Sequence, residues 1–596
     1  GNLTVTGTTT IDVGAGNNLT LSDPDNDFQS AVSAPSVNDL TLRDANAILL
    51  GAMTVNNALD ITAGDAITDN GVLTVTATAT FTTLNDTGAL IELDDDGAPY
   101  ASSFGSLTAE VFETDGTTPA NADVTVHEGA AMAVASMVTA GNITVSSTAD
   151  ISDAGTGFVG SLLTADAATG MVLDTEVTSV AASVSGAGGI TIIEADGITL
   201  TDIDTFDGPV SVTAAGAVGA TDVVAADDGG DESHGVDITT SAGDLTATVV
   251  TADTDVTLRA TANEAAVIHA ATGTITATNG NVTLRADDLN LGGTSISSGA
   301  VVYLLTQNLT DAIDIGDSAG GGDDAVDVLE LTDGELDTIN ATTRIHIGAD
   351  ATPNRMTGGV TVSAAVAPAN TANVTIVQAG GGSSGIDIQA DLTASGALSL
   401  DADAGGNGTG AITRTPGTGT LEATGGNLTL NAATGIGVIA DSDPIDIATV
   451  GGSLSATNTT SGDLYLSTLD ITLAGAGASL SQVADEELRI DATGNIVVAG
   501  NLTVNDLADP AAGTITLNAS GTITRTGGTL TAEVVAFGPD TAPTSIGASG
   551  ARVLTAATDL LDATAGNGDI WLDNSGNVNF SASATDGEID LLNAGT

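Results

Sequence analysis

The chain has 596 residues, no cysteine, and 77 acidic residues against nine basic ones, for a formal net charge of −68. All nine basic residues are arginine and lysine is absent. Nucleic acid and anionic membrane surfaces both require a basic footprint, so neither is a partner. Disulfides and thiolate metal sites are excluded, and no apolar run is long enough for a membrane span.

Apolar residues make up 42% of the chain but aromatics only 2%, and 75 residues are glycine. A core of Ala, Val, Leu and Ile suits thin, stacked strands joined by tight turns. In chain order the strand signals begin with "GNLTVTG" at Gly1, "NLTLSD" at Asn18 and "DLTLRD" at Asp39. "SVNDLTLRDANAILLGAMTV" reads as two short strands, and "LTVTATATFTT" (Leu73 to Thr83) alternates throughout. "GNITVSS" follows at Gly141, "GDLTA" at Gly243, "DVTLRA" at Asp255 and "GNVTLRA" at Gly280. The second half adds "GAITRT" at Gly410, "GNLTLNA" at Gly426, "GSLSA" at Gly452, "GDLYL" at Gly462, "GNIVVAG" at Gly494 and "GNLTVND" at Gly500. "GTITL" at Gly513, "GTITRT" at Gly521, "GDIWL" at Gly568 and "GNVNFSA" at Gly576 complete the series. Apolar–polar alternation means strands with one buried face, and Gly-Asn or Gly-Asp before them is turn chemistry. No stretch reads as a helix.

Short strands recurring every 19–26 residues or so match the coil of a solenoid. Sandwich modules would need larger core residues and usually a Trp each, whereas Trp571 is the only one. The fold class expected is all-β: a right-handed parallel β-helix over 1–596, with Asn ladders at its turns. Loop insertions are expected near 92–122, 222–236, 316–327 and 401–411. Stacking at the inter-strand spacing gives about 25 coils and a rod of roughly 120 Å. Because Gly1 opens on a strand phrase, the chain is expected to be a fragment or processed part of a longer one.

The segment from Asn26 to Phe81 resembles repeats of giant bacterial exoproteins of the filamentous haemagglutinin type. "VTLRADDLNLGG" (Val282 to Gly293), "LELTDGELDTINATTRIHIG" (Leu329 to Gly348) and "GTITRTGGTLTAE" (Gly521 to Glu533) resemble further repeats of those proteins. The resemblance implies secretion, an extracellular or cell-surface location, and a role as adhesin, stalk or matrix filament. It implies no catalytic residue.

A chain this acidic asks first for calcium, which takes clustered oxygen ligands. The candidate ligands are Asp23, Asp25 and Asp27; Asp94, Asp95 and Asp96; Asp227 and Asp228, with Asp231 and Glu232; and Asp323, Asp324 and Asp327. Solvated turns on an acidic rod are the competing reading of each. The first set opens like an EF-hand loop, but Phe28 and Pro35 stand where that loop needs Gly and Glu. The four His (127, 234, 269 and 346) are scattered singly, without zinc-ligand spacing. "GTGFVG" at Gly155 lacks the strand and helix of a dinucleotide site, and "GGSSG" at Gly381 leads into a strand, not a helix.

Some parallel β-helices cut polysaccharides, using paired carboxylates or a Lys or Arg base beside aromatic platforms. The absence of lysine and the scarcity of aromatics argue against that. The expectation is a non-enzymatic extracellular rod, filament or sheath element that requires no cofactor, with Ca²⁺ as the one candidate ion. Its partners would be copies of itself or cell-surface and matrix components. The alternative is an adhesin stalk, whose best candidate loop here is "APYASSFGS" (Ala98 to Ser106).

Overall fold

The computed structural model describes residues 1–93, 101–153, 157–227, 234–262, 266–293, 295–308, 310–316, 328–349, 356, 358–379, 385–406, 408–414, 419–439, 442–473, 478–483, 486–505 and 513–594. They form two compact units, Gly1–Val282 and Thr283–Thr596. Both are β-solenoids, and together they hold about 22 turns. Among the described residues the paired strands run parallel, and antiparallel contacts are confined to isolated bridges such as Phe112 with Pro119.

In the first unit the alternation seen in sequence becomes columns of stacked side chains. Leu42 lies beside Ile61, Ile61 beside Phe81, Phe81 beside Ala109, and Ala109 beside Met137. A second column runs Leu173, Ile192, Val212, Ile238, Leu258. All ten of these side chains are buried. The strand Met171–Ala187 buries alternate residues along its first half, as a one-sided strand must. The core is narrow because each coil stacks one strand spacing from the next. Few aromatics fit; Phe81 and Phe158 are among those that do, fully buried.

The second unit repeats the scheme. Val374, Leu398, Leu428 and Leu454 form one column, and Ile496, Ile523, Ile546, Ile570 and Ile589 another. One helical turn, Asp333–Leu336, interrupts it where no helix was expected. Its cause is local: Thr332 and Glu335 form a capping box, and Glu335 Oε1 also accepts the Leu291 N–H at 2.9 Å.

Turn-to-turn hydrogen bonds give the coil length directly. They span 19 positions from Asn142 to Asp123 and 26 from Asn281 to Asp255. Longer coils reach 29 at Leu73 with Ser102 and 30 at Asn431 with Asp401. These longer coils are why the turns number about 22 and not the 25 expected from shorter spacing.

The stretches read as loops are mixed. Within 92–122 lies the ten-residue strand Ser103–Phe112, paired on both sides. Within 222–236 the strand Val218–Ala225 ends and Val236–Thr240 begins. In 401–411 a turn at Asp403–Gly406 is closed by the Gly406 N–H on the Asp403 carbonyl at 2.8 Å. In 316–327 only Gly316 is described, and its N–H is held by the Leu331 carbonyl at 2.7 Å.

Candidate functional site

The repeated Gly-Asn phrase has a specific geometry. The Asn or Asp just before a strand uses its side-chain oxygen to accept a backbone N–H of the next coil. Asp39 holds Ala58 at 3.1 Å, Asp123 holds Asn142 at 3.0 Å, and Asp255 holds Asn281 at 2.7 Å. In the second unit Asn427 holds Ser453 at 2.9 Å and Asn501 holds Thr529 at 3.0 Å. Asp470, Asn495 and Thr522 form a run across three coils. The preceding glycine is required by the same ladder. A Cβ on Gly452 would collide with Asn427 Oδ1, one on Gly494 with Asp470 Oδ1, and one on Gly521 with Asn495 Oδ1.

Gly521→Ala is therefore expected to cost about 1–3 kcal/mol, from the lost turn hydrogen bonds and local strain. In an Asn495→Ala background the same substitution should cost less, because the nearest obstacle is gone, although the Gly494 carbonyl still crowds the new Cβ. A double-mutant cycle by urea melts reads this coupling, and additive penalties would refute the ladder.

A second set of polar residues faces inward where strands end. Thr83 Oγ1 donates to the Ala89 carbonyl at 2.8 Å, Thr240 Oγ1 to Ala242 at 2.8 Å and Ser147 Oγ to Ala130 at 2.6 Å. Asn458 donates to Ser461 and accepts from the Gly435 N–H. These groups satisfy the backbone at buried corners, where an unpaired carbonyl is costly. Carboxyls occupy some of the same places. Asp44 accepts the Phe28 and Asn46 N–H groups at 2.9 and 2.8 Å, yet burial pushes its pKa up. Burial likewise pushes Glu194 up to about 7, against a hydrogen bond from Thr175 Oγ1 at 2.7 Å. Glu128 is fully buried and pushed up to about 8, with the Phe104 N–H offsetting only part of the effect.

The calcium candidates fall out differently. Asp23 Oδ1 accepts the Asp25 N–H at 3.1 Å, in the manner of an Asx turn. Asp27 is a strand residue whose Oδ2 accepts from Gln29 at 2.8 Å. Asp94, Asp95, Asp96, Asp228, Asp231, Glu232, Asp323, Asp324 and Asp327 lie outside the described residues. Among the described residues, the one group of three potential metal ligands whose donor atoms all lie within 4.8 Å of one another is Asp207, Asp227 and His234. His234 Nε2 is 2.8 Å from Asp207 Oδ1 and 3.8 Å from Asp227 Oδ1. Its side chain is 3% exposed, against 21% and 16% for the two carboxylates. Asp227 was singled out from sequence as a calcium candidate, His234 was read as a lone histidine without zinc-ligand spacing, and Asp207 was not considered.

The remaining histidines are dispersed as expected: His127 lies in the strand Val124–Glu128, His269 in Ala266–Ala277 and His346 in Arg344–Gly348. Phe158–Ala167 and Ile386–Ile388 are strands, whereas 155–156 and 381–384, which open the two glycine-rich motifs, lie outside the described residues. Phe104, from the loop considered for receptor binding, is instead a core residue set edge-on to Phe81, with centroids 5.7 Å apart.

Arginines pair across or along coils. Arg489 contacts Asp491 and Asp540, each at 3.0 Å, and lies over the Tyr465 ring. Arg552 pairs with Asp590 and covers Trp571 at 5.1 Å, leaving that ring face occupied. A surface groove of about 340 Å³ runs between Ile447–Val450 and Thr468–Thr472. Its one carboxylate, Asp470, is already engaged by the Asn495 N–H.

A family model described as "Repeats of unknown function (DUF5649)" matches residues 1–34 and 37–103. No curated protein and no solved structure matches the chain. No helix among the described residues is long and apolar enough to cross a membrane. The matched segment is thus similar to a repeat family, in keeping with the coil repeat of the fold.

Proposed function

We propose that the chain is a non-enzymatic structural element of the bacterial exterior, an acidic solenoid that builds a filament or sheath. The observation that carries this reading is how each coil spends its residues. Inward positions fill an aliphatic column, turn positions form the Asn/Asp ladder, and the paired arginines are tied to carboxylates. Hydrogen bonds and ion pairs of these kinds hold coil to coil, which supports cohesion as the work done. The absence of lysine and cysteine and the net charge of −68 support an exposed, soluble surface that takes cations as partners. Divalent ions would relieve repulsion between neighbouring copies.

Electron microscopy of the purified chain, with and without millimolar calcium, tests the reading. Filaments that lengthen with calcium are the expected result. Isolated particles under both conditions would overturn assembly as the function and favour a passive stalk that carries a binding tip.

A further inference from the structure

The coil register brings Asp207, Asp227 and His234 together by a route that local spacing does not reveal. Asp207 ends the strand Ile198–Asp207, and Asp227 follows the strand Val218–Ala225 of the next coil. Those strands pair with Thr205 beside Ala225, so the two aspartates hold equivalent places on successive coils. After Asp207 the chain turns quickly into Val210–Ala214. After Asp227 it takes a longer corner before Val236–Thr240, the partner of Val210–Ala214. At its far end His234 lies beside the aspartates, and the Thr254 N–H fixes its carbonyl at 3.2 Å.

We infer that these three side chains form a site for a borderline divalent transition-metal ion of the zinc class, which ties Asp207 of one coil to Asp227 and His234 of the next. Two observations beyond the carboxylates point to a ligand. His234 is 2% exposed, and neither of its ring nitrogens makes a hydrogen bond. Its Nε2 lies at hydrogen-bond distance from Asp207 Oδ1 but is not aligned with it. Burying an imidazole without a hydrogen bond is unfavourable, and a metal at Nε2 supplies the missing partner.

The distances suit a shared ion. Donors about 2.1 Å from one cation lie about 3.0 Å apart when adjacent in an octahedron and about 3.4 Å apart in a tetrahedron. The separations of 2.8 and 3.8 Å from His234 Nε2 to the two carboxylates bracket both values. The donor set also selects the ion. Calcium takes six to eight oxygens, whereas one imidazole with two carboxylates suits zinc and its neighbours. The partly exposed carboxylates leave room for water to complete the shell.

The test is calorimetric titration of the full chain with ZnCl₂ in millimolar CaCl₂, which occupies oxygen-only sites. One zinc equivalent that survives calcium is expected, with a rise in melting temperature. Asp207→Asn and His234→Gln should each weaken that equivalent by more than about tenfold, since even supporting groups around a metal matter that much. Should His234→Gln fail to fold, Asp207→Asn decides, because its side chain is at the surface and keeps its volume. Zinc binding that calcium abolishes, or a zinc equivalent unchanged in Asp207→Asn, would overturn the site and leave His234 and Asp207 as an ion pair. This inference stands apart from the structural role proposed above: calcium-dependent assembly could fail with the zinc equivalent intact, and the reverse.

Discussion

Glu128→Gln is expected to raise the melting temperature of the chain at pH 9 and to change it little at pH 5. Glu128 ends the strand Val124–Glu128, beside Ser147 of the next coil, in a fully buried position. Burial raises its pKa to about 8 from an ordinary value of 4.5. Between those values the folded chain keeps a proton that the unfolded chain has released. The favourable contribution of the protonated acid is full below 4.5 and is lost as pH rises through 8. Above 8 the folded state carries a buried carboxylate, at a cost on the order of a few kcal/mol. Gln keeps the shape and removes the charge, so its advantage should appear only on the alkaline side. Glu194, raised to about 7, and Asp44, raised by burial, act in the same direction, as does the easing of repulsion when surface carboxylates are protonated. The wild-type curve alone therefore cannot assign the effect. The difference between wild type and Glu128→Gln, measured by circular dichroism melts at pH 5, 7 and 9, can. Parallel curves would show that Glu128 is not a buried acid of this kind.

Glu128 also marks what the sequence made legible. The alternation in "VTVHE" places Val124, Val126 and Glu128 on one face, so the pattern put a carboxyl among core residues, and the burial follows that pattern. Strand phrases were readable because their period is two and their faces are unequal. "LTLRD" at Leu40 and "VTLRA" at Val256 became strands with alternate residues buried. The ladder role of Asn was readable from turn chemistry, but the need for glycine before it was not. That need comes from the side chain and backbone of the coil beneath, as at Gly521 over Asn495 and the Gly494 carbonyl. The convergence of Asp207 with His234 was illegible for the same reason. It depends on the unequal lengths of two successive corners, and no local spacing encodes which turn lies over which. The capping box at Thr332 and Glu335 was readable, since Thr-x-x-Glu is a local signal, but strand repeats on both sides masked it.

Phe81→Ala should be the most damaging single truncation in the first unit. Phe81 is fully buried, with Ile61 beside it in one neighbouring coil and Ala109 in the other. Its edge contact with Phe104 adds a second aromatic that would lose its support. Removing a ring from a close-packed site costs about 3–5 kcal/mol, from lost transfer energy and the remaining cavity. Collapse offers little relief here, because the backbones on either side are fixed by ladder hydrogen bonds to their own neighbours. Thr82, the next residue, faces outward and is half-buried, so Thr82→Ala should change stability by no more than about 0.5 kcal/mol. The contrast between adjacent positions tests the strand register itself. Coils of a solenoid contact mainly their neighbours, so the damage should also be local. Hydrogen exchange should accelerate in Leu59–Ala63, Leu73–Leu84 and Ser103–Phe112, while Leu530–Phe537 in the second unit keeps its protection. Equal penalties for Phe81→Ala and Thr82→Ala would mean the stacked column through Ile61, Phe81 and Ala109 is not the core. Uniform loss of protection across both units would mean the coils melt as one body, not as a chain of nearest neighbours.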